Sequence, residues 1–415
     1  MQDFHYSNGT FYAEGVSLND IHEQYSTPCF IYSRAAIERQ WGLYNDAFGD
    51  RNHCICYAVK ANGNIAILNL LARLGSGFDI VSVGELQRVI KAGGDPGKVV
   101  FSGVGKRPDE IRAALQAGVK CLNVESISEL TVINDIAGDM QCKAPVSLRI
   151  NPDVDPLTHP YISTGLKENK FGISYEEAEA VYSQASCLSH IEVVGIDCHI
   201  GSQITDMDPY LDAMDKLISL VNLLSDKGIQ IQHVDLGGGL GINYKDEAPP
   251  SPDEFVSAIC GKMKDSNIEI LIEPGRSIVG NAGLLLSQVL YIKQNGDKNF
   301  AIIDAAMNDL IRPVLYDAWQ KIVPVNEVSE VEEKQYDIVG PVCESGDFLG
   351  LDRSLSISEG DTIAILGVGA YGFVMSSNYN ARPRAAEIMV DGDEVYEIQR
   401  RETLEDLYER EMILP

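Results

Sequence analysis

Apolar residues along this chain follow two rhythms. From about residue 54 to 273, short and nearly continuous apolar runs alternate with amphipathic stretches. The runs are Ile55–Lys60, Gly77–Val81, Val99–Gly103, Leu122–Glu125, Val146–Ile150, Val193–His199, Val234–Leu236 and Ile268–Glu273. They are short and β-branched, as strands buried on both faces should be. Helical patterns lie between them. Glu85–Ala92 and Pro108–Ala117 each stop at a glycine, Gly93 and Gly118. Leu211, Met214, Leu217, Ile218, Val221 and Leu224 recur at helical spacing before Gly228. Eight strand–helix units are what an eightfold β/α barrel requires. A doubly wound open sheet shares this periodicity, and pattern alone leaves both architectures open.

Polar residues favour the barrel. Lys60, Asp79, His199, the run Gly237–Gly239 and Glu273 all fall at the carboxyl ends of their runs. In a barrel those ends meet on one face, where active sites are built. Strand ends are often polar merely because the chain emerges into solvent there, but five chemically unlike groups at five strands go beyond solvation. The aperiodic stretch Asn151–Gly172 reads as a lid or binding loop. After about residue 280 the texture changes to strands separated by Gly, Asp and Asn turns: Leu284–Ile292, Phe300–Ile303, Tyr336–Val339, Asp361–Leu366, Glu387–Val390 and Glu394–Gln399, with Asp391-Gly392 as a hairpin turn. This predicts a second, β-rich domain, closed by a helical Thr403–Glu411.

Length agrees, since 415 residues favour two domains. A formal net charge of -28 repels nucleic-acid phosphates and anionic membranes, so neither is an expected partner. Met1–Gly9 carries no secretory pattern and no apolar run is long enough to span a bilayer. Nine cysteines without a Cys-x-x-Cys pair point to reduced thiols in a cytoplasm, not to a zinc ribbon or a disulfide scaffold. Seven histidines, none in an i, i+4 pair with a nearby carboxylate, give no expectation of a metal.

Several motifs carry chemistry. Ala58–Asn62 sets Lys60 at the end of a buried strand, where an amine near apolar walls loses its proton more easily and can condense with a carbonyl; a lysine snorkelling from the barrel mouth is the plainer reading. Gly237–Gly241 follows the seventh run, where barrels commonly hold phosphate on backbone N–H groups, although a glycine run can be only a tight turn. Glu273–Ser277 closes the eighth run with an acid and a base. Glu273 could hold a proton on a heterocycle nitrogen and Arg276 could bind phosphate or carboxylate, or the two could simply pair. Cys198–Gln203 adds an imidazole and a hydroxyl. Gly367–Gly372 formally matches a dinucleotide fingerprint, but Phe373–Pro383 does not read as the helix such a site needs.

Taken together these motifs resemble the fold-type-III pyridoxal-phosphate enzymes, the alanine racemase and basic amino-acid decarboxylase group, and within it the diaminopimelate decarboxylases. The resemblance covers nearly the whole chain. It rests on Ala58–Asn62, His199–Gln203, Gly237–Gly241, Glu273–Ser277, Arg312–Tyr316, Gly340–Asp347 and Gly369–Phe373, in this order. It implies a barrel over residues 30–280, with 1–29 and 281–415 forming the β-rich domain. Lys60 would hold pyridoxal phosphate covalently, His199 would stack on its ring and Glu273 would pair with the ring nitrogen. Asp79 would support Lys60 and the ring, while Gly238, Gly239, Ser202, Gly275, Arg276 and Tyr371 would hold the phosphate. Substrate groups would meet Arg276, Arg312, Tyr316 and Tyr371. Glu344 would take the distal amino group and Cys343 would return the proton. A head-to-tail homodimer with shared sites is implied, Cys343–Asp347 entering the partner's barrel. An acid at the ring nitrogen favours decarboxylation over racemisation. Opposite charges at Glu344 and Arg312 suit meso-2,6-diaminopimelate, which would yield lysine and carbon dioxide. Ornithine, arginine or carboxynorspermidine substrates, a non-catalytic cofactor-binding barrel and a nicotinamide oxidoreductase are the alternatives.

Overall fold

The computed structural model describes residues 3–155, 164–165, 169–327 and 331–415. The chain forms two compact units, one of Gln40–Ile242 and Glu247–Ser277, the other of Met1–Arg39, Asn243–Asp246 and Ile278–Pro415.

In the first unit all eight runs form strands: β1 His53–Ala58, β2 Gly77–Ile80, β3 Val99–Phe101, β4 Cys121–Val124, β5 Ala144–Asn151, β6 Ile191–Asp197, β7 His233–Asp235 and β8 Glu269–Ile272. Each pairs in parallel with its neighbour, and β8 pairs with β1, so the sheet closes. Closure excludes the open-sheet architecture and brings the carboxyl ends to one face. A short extra strand, Ile173–Ser174, adds to the end of β5.

Local chemistry fixes the turns that leave that face. After β2, the Ser82 hydroxyl accepts from the Glu85 N–H at 3.2 Å while the Glu85 carboxylate accepts from the Val81 N–H at 2.7 Å. Ser126 and Glu129 repeat the arrangement after β4. Such caps stabilise a helix start by ~1 kcal/mol each. The helices they open, Val83–Lys91 and Ile127–Asp139, bury Leu86 and Val89, and Leu130, Ile133 and Ile136, against the barrel. Pro108–Ala117 ends where the sequence predicts, with Gly118 left-handed at φ 73°. Inside the barrel, Cys54, Cys56, Val100, Cys121, Val194 and Leu271 pack as one apolar cluster.

The second unit is a sheet ordered Phe348–Leu355, Lys334–Val339, Lys298–Ile303, Gly283–Asn295, Cys29–Ser33, Ala386–Asp391 and Glu394–Gln399. The 13-residue strand Gly283–Asn295 organises it by pairing with three others. A three-stranded sheet, Phe4–Ser7, Thr10–Ala13 and Val16–Ser17, packs on the same core through Phe11, Ala13 and Val16. The predicted helix Thr403–Glu411 is replaced by a single 3-10 turn, Glu405–Leu407. Leu404 and Tyr408 are exposed, so no apolar face is buried to stabilise a helix, and Asp406 instead binds Thr403 and Arg400. After Thr362–Leu366 comes only the 3-10 turn Phe373–Met375, so Gly367–Gly372 opens no α-helix on which a dinucleotide could rest. Most of the expected lid within Asn151–Gly172 lies outside the described residues. Among the described residues no helix is long and apolar enough to cross a membrane.

Candidate active site

Closing the barrel gathers the predicted strand-end residues. Lys60 lies in the 3-10 turn Val59–Ala61 that follows β1, and its Nζ donates to Asp79 Oδ2 at 2.5 Å. Register explains the pair, because Ala58 of β1 lies beside Asp79 of β2. Asp79 is fully buried, while about a third of the Lys60 side chain stays accessible (34%), so the amine is anchored yet reachable.

His199 follows β6. Its Nδ1 accepts from the Gly238 N–H at 3.1 Å, which leaves the ring proton on Nε2. Burial above all, with the charges of Arg149 and Lys60, holds its pKa well below the usual value, so the imidazole is neutral. The glycine loop after β7 is locked beneath it. A Cβ at Gly238 would lie 2.1 Å from the Glu273 carbonyl oxygen, so no larger residue fits, and Gly239 has φ 107°. The Glu273 N–H donates to the Gly237 carbonyl at 2.8 Å, stitching the loop to the end of β8. One turn later Arg276 Nη2 donates to Ser202 Oγ at 3.0 Å, and Ser277 Oγ meets the Tyr44 hydroxyl at 2.7 Å. Gly275 lies between these groups and packs on Ala58 and Ala61.

Beneath this rim Glu273 is joined by two acids that the sequence motifs did not single out, Asp197 and Asp235. One oxygen from each of Asp197, Asp235 and Glu273 lies within 4.8 Å of the others, and all three residues are buried. Two like charges at that separation repel by about 3.5 kcal/mol at an effective dielectric of ~20. Burial first, then the charges of neighbouring carboxylates, raises Asp235 and Glu273 well above the ordinary range. Burial also raises Asp197, against the opposing pull of Arg149. Arg149 binds Glu125 at 3.0 Å, lies 4.0 Å from Asp197 and covers the Phe171 ring. The signal for Asp197 and Asp235 was present, since they end β6 and β7 just before the residues that were singled out.

The remaining predicted residues lie in the second unit. The buried Arg312 begins the short helix Arg312–Tyr316, and its guanidinium faces the rings of Tyr316, Tyr371 and Tyr244 at 5.3, 5.9 and 5.8 Å. Tyr244 had no sequence signal, because the chain enters this unit for only four residues there. Cys343 and Glu344 are exposed on a loop that the Asp347 carboxylate shapes by accepting from the Val342 and Met307 N–H groups, each at 2.7 Å. The segment Asn378–Asn380, given no role from sequence, supports this loop. Asn380 Oδ1 accepts from the Cys343 N–H at 3.1 Å, and the Tyr379 hydroxyl donates to Glu344 at 2.9 Å.

The barrel mouth fits pyridoxal phosphate. Glu273 Oε1 is buried with no hydrogen-bond partner among the described residues, as an acid awaiting a ring N–H should be. The neutral His199 ring can stack on a flat heterocycle. Ser202 and Arg276, bonded to each other at 3.0 Å, offer a hydroxyl and a guanidinium to an anion.

Comparison with known proteins agrees. Residues 34–280 match the family model of the pyridoxal-dependent decarboxylases, pyridoxal binding domain. Diaminopimelate decarboxylase of Pseudomonas aeruginosa is 56% identical over 415 residues, covering 100% of both chains. The structure of diaminopimelate decarboxylase from M. jannaschii in co-complex with L-lysine superposes with a TM-score of 0.95 at 39% identity, covering 100% of this chain and 98% of that one. That of the Helicobacter pylori enzyme complexed with L-lysine gives 0.91 at 44%, covering 94% and 98%.

Proposed function

The chain belongs to the diaminopimelate decarboxylase family, and from that premise we infer that it decarboxylates meso-2,6-diaminopimelate to lysine and carbon dioxide with pyridoxal phosphate held at the barrel mouth. The end-to-end correspondence at 56% identity carries this reading. When bound, pyridoxal phosphate supplies an electron sink for the pair left on the α-carbon as carbon dioxide departs.

The chain's own residues do the rest. Lys60 anchors the cofactor through its amine, and Asp79, 2.5 Å away, fixes the amine's direction. Glu273 holds a proton at the ring nitrogen, which keeps the ring electron-poor. Neutral His199 covers one face without adding charge. Gly239, Gly275, Ser202, Arg276 and Tyr371 supply donors for the phosphate, while the Gly238 N–H, engaged by His199 at 3.1 Å, holds the loop in place; Arg276 also faces the substrate. Arg312, with Tyr316 and Tyr371, takes the distal carboxylate, and Glu344 takes the distal ammonium. Two-point anchoring of this kind holds the scissile bond in one orientation. Cys343 returns a proton to the α-carbon. The exposure of Cys343 and Glu344 on a rigid loop supports a homodimer in which each site is completed by the second copy. The described cysteines are all free thiols, which suits a reducing cytoplasm.

Incubating the protein and cofactor separately with meso-diaminopimelate and with ornithine tests the reading. Lysine and carbon dioxide should form from the first and little putrescine from the second. Faster turnover of ornithine would overturn the substrate assignment.

A further inference from the structure

Five neighbouring barrel strands, β4 to β8, send charged side chains to one level of the interior: Glu125, Arg149, Asp197, Asp235 and Glu273. Read across the barrel, the order is acid, base, then three acids. Among the described residues Arg149 makes ion pairs with Glu125 and Asp197 and with neither of the last two, although Glu273 lies within range of its charge. Lys60 pairs with Asp79, and its charge opposes the rise of Asp197 and Glu273 only as a lesser influence, while Lys120 pairs with Glu269. Cys54, Cys56 and Cys121 face Asp235 and contribute no positive charge. His233 lies two residues before Asp235 on β7 and is held neutral by burial. Three mutually close buried carboxylates therefore cannot all be ionised, and at least one proton must reside among them.

Hydrogen bonding locates it. Asp197 Oδ1 is also without a hydrogen-bond partner among the described residues, but Asp197 is the member of the three with a cation in ion-pair range there, Arg149 at 4.0 Å, which favours its ionised form. Glu273 must be ionised to hold the ring proton, so this inference rests on the cofactor reading above. Asp235 Oδ1 already accepts from the Gly237 N–H at 2.9 Å, whereas its Oδ2 is buried with no partner among the described residues. Oδ2 is where a proton satisfies both the charge count and the missing hydrogen bond. We propose that Asp235 is a positioning residue that carries a proton on Oδ2 and donates it as a hydrogen bond to the Glu273 carboxylate, keeping that carboxylate ionised beneath the cofactor. Asp235 also accepts from the glycine loop, so one side chain links the phosphate cradle to the group that sets the ring's charge.

Infrared spectroscopy of the holoenzyme reads this directly. At about pH 9, well above the usual range of carboxylates, the loaded protein should show the carbonyl stretch of a protonated carboxylic acid, sensitive to D2O. Glu85 and Asp309, raised to about 7 and about 6, are ionised there and do not interfere. The band should vanish in Asp235→Asn and persist in Asp197→Asn. Cofactor affinity gives a second readout. Asp235→Ala should raise the dissociation constant of pyridoxal phosphate roughly 10- to 100-fold, the range for losing a hydrogen bond to a charged group, and Asp235→Asn, whose amide still donates, should recover most of it. Absence of the band from the wild-type holoenzyme overturns the proposal without any variant. So does its survival in Asp235→Asn, or an Asn variant as damaged as the Ala one. A coloured holoenzyme that lacks the band rejects the role of Asp235 alone, whereas a protein that takes up no cofactor rejects the cofactor reading as well.

Discussion

Glu273 sits among like charges in a buried site that disfavours its ionised form, so the proposed carboxylate there depends on a cationic ring N–H as partner. Glu273→Gln keeps the shape and removes the charge, so the cofactor should still bind while turnover falls roughly 10- to 1,000-fold, the scale of one charge-assisted hydrogen bond in a transition state. Steady-state kinetics on the reconstituted variant checks this, and unchanged turnover with chemistry rate-limiting would remove the role. Arg312 makes a different demand. Its guanidinium is held among three tyrosine rings, and the proposed function gives it the distal carboxylate. Arg312→Ala should penalise diaminopimelate by about 2–5 kcal/mol in kcat/KM, the scale of unpairing a buried charge, and a substrate without the distal carboxylate far less. Equal losses would make Arg312 structural. Lys60, Asp79, His199, the glycine run and Glu273 were legible in the sequence because strand ends of a barrel converge, whereas Arg312, Tyr316 and Tyr371 were reached only through the family resemblance. Asp197 and Asp235 obey the same rule, but each is overshadowed by a more conspicuous neighbour, His199 or the glycine run. Tyr244 is near Arg312 only through chain crossing, which no local pattern encodes.

At the scale of elements, two tight contacts set the barrel's tolerances. A methyl at Gly238 would drive the glycine loop from the end of β8, so Gly238→Ala should weaken cofactor binding and lower the melting temperature together. In β6, Gly195 sits at a register shift, where a Cβ would lie 2.0 Å from the His233 ring. Gly195→Ala should destabilise the protein by roughly 1–3 kcal/mol in urea titrations, as overpacking does. His233 also shapes the pH response. Burial foremost depresses its pKa to about 3, so the folded state keeps it neutral while the unfolded chain protonates below about 6.5. Its contribution is therefore complete above pH ~6.5 and is lost as pH falls toward 3, a span worth up to roughly 4–5 kcal/mol by linkage. The raised carboxyls of Asp235 and Glu273 act with the opposite sign, so the comparison must be between variants. His233→Gln should flatten the acid limb of stability against pH, and an unaltered limb would exclude His233 as its source. Strands and the helix stop at Gly118 were readable because burial on both faces and a left-handed glycine are local signals, whereas the Ser-x-x-Glu caps at Ser82 and Ser126, equally local, went unread. The terminal Thr403–Glu411 was misread because propensity without a face to bury does not make a helix.

For the whole molecule, the change of texture near residue 280 revealed a second, β-rich unit, but only sheet closure separated a barrel from an open sheet. The proposed homodimer makes a quantitative demand. If each site takes Lys60 from one copy and Cys343 from the other, Lys60→Ala and Cys343→Ala proteins should each be nearly inactive. Equal exchange gives about half heterodimers, each with one intact site, so activity should recover to roughly a quarter of wild type. No recovery after verified exchange would place both residues in one chain. The roles proposed for Glu273, Arg312 and Cys343 all presuppose a cofactor bound at Lys60. Borohydride reduction of the yellow holoenzyme followed by peptide mapping tests that most directly: the reduced cofactor should be found on Lys60, and an adduct on Lys91 or Lys170 instead, or none at all, would contradict it.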